Sequence, residues 1–172
     1  VDMTTTLGPT NQLGQEIHIK VYNNSGDQID NGTVVYPTGS FSDYPTIGKA
    51  ISNTFTGVDV DYGVTTMDIP DGTYGFVTWF GKVRGIDTSS FDVGDQVYIS
   101  DTVAGDMTNV KPDFPSYALQ VGVVFIKDAD DGEVFVTSRD TVDDTFNNIH
   151  NGTTREPFSF TISSDGAAVT GS

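Results

Sequence analysis

Residues 63–100 read GVTTMDIPDGTYGFVTWFGKVRGIDTSSFDVGDQVYIS, and their reading decides the fold. Two runs rich in β-branched and aromatic residues flank Pro70-Asp71-Gly72. Pro fixes one backbone φ and Gly supplies another, so this triplet is a hairpin signal with a mechanism. Beyond it, Tyr74, Phe76 and Phe80 alternate against Val77 and Trp79, which reads as the two faces of core strands. Residues 85–89, GIDTS, close that strand with turns capped by their own side chains, and Phe91 returns an apolar anchor to the core. Gly94-Asp95 then turns the chain into a strand over residues 96–100.

The same pattern extends outward in both directions. Residues 15–22, QEIHIKVY, place Ile17, Ile19 and Val21 on one face and Glu16, His18 and Lys20 on the other, the period-2 signature of a half-buried strand. Asn23-Asn24-Ser25-Gly26 turns the chain, and a second turn at Asp30-Asn31-Gly32 leads into the strand TVVY at 33–36, which Pro37 and Gly39 are expected to end. Residues 46–55, TIGKAISNTF, fit a short helix or an irregular loop. Residues 58–69 are again strand-like. Toward the C-terminus, strands are expected at 119–127 and 133–138, joined by the turn Asp128-Ala129-Asp130-Asp131-Gly132. About eight to ten short strands with turn signals this frequent predict an all-β fold, a compact antiparallel β-barrel or β-sandwich.

Arms flank that body. Residues 1–14 lack periodicity and read as an extended N-terminal arm, disordered or docked on a neighbour. Residues 15–138 form the barrel or sandwich body. Residues 139–172 read as a C-terminal arm or a linker to further modules, with FSFTI at 158–162 as one more candidate strand.

Composition agrees. Glycine contributes 19 of 172 residues, Thr, Val and Asp are abundant, and helix formers are few. A chain of this length buries roughly two-thirds of its unfolded surface, so it need not borrow stability from a metal. With no cysteine, disulfides, thiolate zinc sites and cysteine nucleophiles are all excluded. No run approaches the ~20 apolar residues that cross a bilayer, and the N-terminus VDMTTTLGPTNQ has neither the basic residues nor the apolar core of an export signal. The chain therefore reads as soluble. Its 24 acidic against 8 basic side chains give a net charge of −16. Such a surface repels phosphate backbones and anionic lipid, so neither nucleic acid nor membrane is expected as a partner.

Motifs that would carry chemistry are missing from the sequence. His18 and His150 have no metal-ligand spacing around them and read as ordinary surface histidines. No GxSxG pentapeptide supplies a serine nucleophile, and no GxxxxGK[ST] or GxGxxG cradles a phosphate. Asp59 with Asp61, and Asp143 beside Asp144, are carboxylate pairs, but 24 acids make chance pairs common and glycoside hydrolysis needs two carboxyls set across a cleft. The acids from Asp128 to Glu133 resemble a calcium loop, yet Gly132 falls fifth where an EF-hand requires sixth, and the twelfth residue is Arg139 where it requires Glu. A solvated hairpin tip is the better reading. No catalytic residue, cofactor or metal site is expected. Among the aromatics, Trp79, Phe80, Tyr98 and Tyr117 are weighed as glycan contacts, with Trp79, Tyr98 and Tyr117 as the candidates, against plain burial in the core.

Two segments carry a family resemblance. The first is Val21-Tyr22-Asn23-Asn24-Ser25-Gly26, followed by Ile29, Asn31-Gly32-Thr33 and Val35-Tyr36. The second is residues 63–100, followed by Gly105, Met107-Thr108, Pro112, Val121-Gly122-Val123-Val124, and Gly132 with Val134 and Val136. Together they span about residues 17–138 and resemble a β module of tail-fibre, head-fibre and related appendage proteins of tailed bacteriophages. The resemblance implies a structural protein of the virion, made in the host cytoplasm, that assembles with other virion proteins and forms a homo-oligomer, specifically a homotrimer. It brings no catalytic residues. Host-surface glycan recognition is the alternative function that such a setting implies.

Overall fold

The computed structural model describes residues 2–3, 11–12, 16–55, 61–113 and 116–139. Within the stretch read as an N-terminal arm, β1 (Asp2–Met3) pairs antiparallel with β2 (Asn11–Gln12). Nine further strands share one sheet: β3 (Ile17–Asn23), β4 (Val34–Phe41), β5 (Tyr44–Lys49), β6 (Gly63–Thr65), β7 (Tyr74–Ile86), β8 (Gln96–Ile99), β9 (Met107–Thr108), β10 (Gln120–Ile126) and β11 (Gly132–Arg139). No described residue is helical. The strand order is β3-β5-β4-β6-β7-β11-β10-β8-β9, and β7 pairs with β3 as well, so five strands close into a barrel. The all-β barrel expected from the pattern is therefore the architecture, with one departure from antiparallel pairing: β3 and β5 run parallel, Tyr22 opposite Thr46.

The long strand β7 belongs to two structures. Its first half pairs with β3 and β6 in the barrel, Val77 lying opposite both Ile19 and Thr65. Its second half pairs with β11, Val83 opposite Val134. The change of partner falls near Gly81, whose φ of +117° is a conformation that side-chain-bearing residues rarely adopt. There β7 leaves the barrel and founds the outer sheet.

Two cores follow from this division. Val21, Ile29, Val35, Ile47, Ile69 and Val77 fill the barrel. Ile29 and Ile69 exchange backbone hydrogen bonds of 3.0 and 2.8 Å and are completely buried. The buried Asn23 amide ties the end of β3 to this bridge, donating to the Ile69 and Asp27 carbonyls at 2.8 Å each. The second core lies between the barrel wall and the outer sheet, where Val34 and Val64 meet Val83, Val97, Leu119 and Val134. Adjacent Val34 and Val35 enter different cores, as strand alternation requires. Tyr62, in the second core, donates its hydroxyl to the Gln120 carbonyl at 2.7 Å.

The turn chemistry is as expected. Thr73 N–H bonds the Pro70 carbonyl, with Gly72 left-handed at φ +71°. Asp87 Oδ1 accepts from the amide and hydroxyl of Ser89 at 2.9 and 2.6 Å, and Asp128 Oδ1 accepts from the amides of Asp130 and Asp131 at 2.9 and 3.0 Å. The expected strands near 96–100, 119–127 and 133–138 appear as β8, β10 and β11.

Three expectations need correction. The stretch 46–55 is neither helix nor simple loop, because its first residues lie in β5, which forms a hairpin with β4 through Ser42 and Asp43. Pro37 and Gly39 do not end the strand before them. β4 continues to Phe41 with a register shift between them, and Pro37 is tolerated because β6 pairs only with Val34 and Val35, leaving β5 as its neighbour there. At the start of β3 the alternation slips: Ile17 lies opposite Phe80 and His18 opposite Thr78, so β7 has one extra residue, Trp79. Ile17 consequently faces outward, 59% exposed, while the Glu16 side chain is fully buried and His18 nearly so. His18 is not the surface histidine its strand position suggested. The candidate strand at 158–162, His150, Asp59 and the Asp143-Asp144 pair lie outside the described residues.

Candidate functional site

The bulge at Ile17 and Trp79 sets up the most distinctive surface of the molecule. Phe80 on β7 points outward and meets Phe135 on β11 edge to face, ring centroids 5.2 Å apart. Phe135 in turn stacks on Phe125 of β10 at 5.0 Å. Ile17 lies opposite Phe80 in the ladder, so an apolar row crosses four strands. Phe80 is 43% and Phe125 45% exposed, values far from those of core aromatics. Scattered apolar side chains on a surface need no account, but a contiguous aromatic row does.

A charged ladder borders this row. Lys82 lies opposite Phe135 in register and its Nζ is 3.0 Å from Glu133. Arg84 bridges two carboxylates, with Nε 3.4 Å from Glu133 and its other end on Glu16. Glu16 also faces His18 Nε2 at 3.5 Å, and His18 Nδ1 shares a hydrogen bond with the Thr78 hydroxyl at 3.1 Å. Burial holds the His18 imidazole below its ordinary pKa; neighbouring Glu16 pulls the other way and Arg84 reinforces the lowering. At neutral pH the ring is neutral, and the carboxylate of Glu16 is matched chiefly by Arg84.

A second aromatic group sits on the outer wall of the barrel. Tyr22 stacks on Phe41 at 4.1 Å and meets Tyr74 edge-on at 5.0 Å, while Tyr74 meets Tyr44 at 5.2 Å. Lys20 Nζ lies 4.5 Å from the centroids of both Tyr44 and Tyr74, a double cation–π contact. Phe41 and Tyr74 are exposed.

An apolar cavity of about 60 Å³ is lined by residues including Ile19, Val35, Tyr36, Ile47, Tyr62 and Trp79. It is distinct from both aromatic groups. Asp61 also lines it.

The three aromatics singled out from the sequence lie at three different places. Trp79 lines the cavity and is exposed. Tyr98 is buried on β8, its hydroxyl donating to Gln96 Oε1 at 2.9 Å. Tyr117 is half-buried against the second core. Phe80, weighed with them, belongs to the exposed row instead. Among the described residues no group of three or more His, Cys, Asp or Glu is arranged to hold a metal ion. Asp128 caps its own turn, accepting from the backbone amides of Asp130 and Asp131, which hold its carboxyl below the usual range.

Sequence reasoning missed the Phe80, Phe125 and Phe135 row and the Lys20 cluster. A signal for both was present. Lys20 and Tyr22 on β3, like Phe80, Lys82 and Arg84 on β7, recur every second residue on the face opposite the core.

No protein-family model, curated protein or solved structure matches this chain.

Proposed function

We propose that this chain is a non-catalytic structural component of a bacteriophage virion, a head-fibre, decoration, tail-fibre or baseplate module that assembles through protein–protein contacts. The observation that carries the reading is the row in which exposed Phe80 and Phe125 flank half-buried Phe135 on one sheet face. Aromatic residues on a rigid scaffold supply contact area at little entropic cost, the usual make-up of the centre of an interface. The resemblance of residues 17–138 to phage appendage modules supplies the setting. A trimer is implied by the resemblance alone.

The test is to locate the chain on a particle. Image reconstruction of whole virions that contain it should show its density on the head or tail exterior, and purified chain should bind particles lacking it. Particles that neither contain nor bind the chain would overturn the reading.

A second reading, recognition of host-surface glycan, is favoured by the exposed rings of Phe41 and Tyr74 with Lys20 beside them. Aromatic faces stack on sugar rings, and a cation adds selectivity for acidic sugars. Binding on a glycan array that is lost in Tyr74→Ala would support it. Silence on the array and in host-cell adsorption would remove it.

A further inference from the structure

We propose that Asn31 is a deamidation site gated by the fold, closed while the turn at residues 30–32 is tied to β6 and β7 and opened when that turn lets go. In the dipeptide Asn31-Gly32 the reaction meets little obstruction, because glycine has no Cβ to hinder the approach of its backbone nitrogen to the preceding side chain. The structure demands both residues. Gly32 has a φ of +82°, and a Cβ there would lie 2.6 Å from Ile86 Cγ2. Asn31 Nδ2 donates to the carbonyls of Arg84 and Gly85 at 2.8 and 3.0 Å, fastening the turn before β4 to the last residues of β7. An ionised aspartate in its place has no hydrogen to donate.

The reaction balances with water alone. The Gly32 nitrogen, having given up its proton, bonds to Asn31 Cγ; the bond from Cγ to Nδ2 breaks, and ammonia leaves with the proton. Water then opens the cyclic imide, at one carbonyl to aspartate and at the other to isoaspartate. In the folded chain each reacting group is held. The Gly32 N–H donates to the Thr65 carbonyl at 2.9 Å, which opposes loss of its proton, and the leaving nitrogen Nδ2 is engaged by two carbonyls. The Asn31 N–H is itself capped by Asp68 Oδ1 at 2.8 Å. Once formed, a carboxylate at this position faces the Arg84 and Gly85 carbonyls as acceptor against acceptor, and isoaspartate lengthens the backbone just before β4. Either product unfastens the turn from β7, and the change is one-way.

The experiment incubates the full chain at mildly alkaline pH, folded in buffer and unfolded in guanidinium chloride. Deamidation is followed by mass spectrometry of the peptide that contains Asn31, which keeps it apart from Asn151-Gly152. Asn31 should react about tenfold or more slowly in the folded chain, since reaction there waits on local opening. Asp68→Ala removes the exposed cap without touching a reacting atom and should speed the reaction in the folded chain severalfold. Asn31→Asp, which reproduces one product, should lower the denaturation midpoint, and the rates measured on wild type and Asp68→Ala stand whether or not that variant folds. Equal rates in the folded and unfolded chain would remove the gate. No reaction at Asn31 in the unfolded chain would remove the site, and an Asn31→Asp variant as stable as wild type would remove the unfastening.

Discussion

Thr88 Oγ1 donates to the carbonyl of Ile126 at 2.7 Å and accepts from the amide of Asp128 at 3.0 Å, so one completely buried hydroxyl fastens the turn after β7 to the end of β10. The Thr88 amide adds a bond to the Asp128 carbonyl at 2.8 Å. Thr88→Val keeps the shape and removes the hydroxyl, leaving two backbone groups without that partner. The expected loss is about 1–3 kcal/mol in urea denaturation, with Thr88→Ser close to wild type. Equal stability of the valine variant would show that water replaces the hydroxyl.

Gly122 is required for a different reason. A Cβ built there would lie 2.1 Å from the Phe135 carbonyl oxygen and 3.1 Å from the Val136 Cα. Both are backbone atoms of the neighbouring strand and cannot swing aside. Gly122→Ala should therefore force β10 and β11 apart at their register shift and cost about 1–3 kcal/mol or more in thermal or urea unfolding. Val110→Ala, at a largely exposed site, should change stability by less than about 0.5 kcal/mol.

These two positions show what was legible in the sequence. Thr88 and Gly122 both fall in segments whose turn and strand chemistry is local: an Asx-type turn, a β-branched run, a hairpin tip. Local chemistry predicts β7, β8, β10 and β11 and most of their turns. β5 was not legible, because Thr46 and Ile47 pair in parallel with β3, distant in sequence, and the hairpin to β4 turns on a non-glycine residue, Ser42, at φ +53°. Closure into a barrel was equally hidden, since alternation tells which residues share a face and not which strand completes the ring. The aromatic row escaped for a related reason. Phe80 and Phe135 recur at strand spacing, and alternation alone does not say which of a strand's two faces is covered.

His18 makes stability depend on pH in a predictable direction. Burial lowers its pKa in the folded state below the ordinary 6.5, so the unfolded chain takes up the proton first as pH falls. This contribution is fully present above about 6.5 and is lost progressively as pH falls toward the lower folded value. Melting temperature should decline over that window. His18→Gln should flatten the decline relative to wild type, a comparison in which His150 cancels. An identical pH profile in the variant would show that the ring is as readily protonated folded as unfolded.

Arg84 is the residue on which the ladder turns. It engages Glu16, whose side chain is wholly buried, and Glu133, which is largely so. Glu133 keeps its ion pair with Lys82 when Arg84 is removed, so the loss falls chiefly on Glu16. Arg84→Met keeps much of the apolar stem while removing the cation that contacts the buried Glu16 carboxylate. Breaking a buried pair by deleting one partner costs about 3–5 kcal/mol, and because Arg84 is one-third exposed the lower end applies, roughly 3 kcal/mol. The same change removes a cation that disfavours protonation of His18 while Glu16 continues to favour it, so the imidazole should titrate at higher pH than in the wild type. Two readouts therefore move together: unfolding free energy falls, and the His18 ring resonances titrate at a higher midpoint by NMR. Glu16→Gln combined with Arg84→Met should recover part of the stability, since the stranded charge is then gone. A double variant no more stable than Arg84→Met alone would mean that the guanidinium acts through packing against β11 and not through the Glu16 carboxylate.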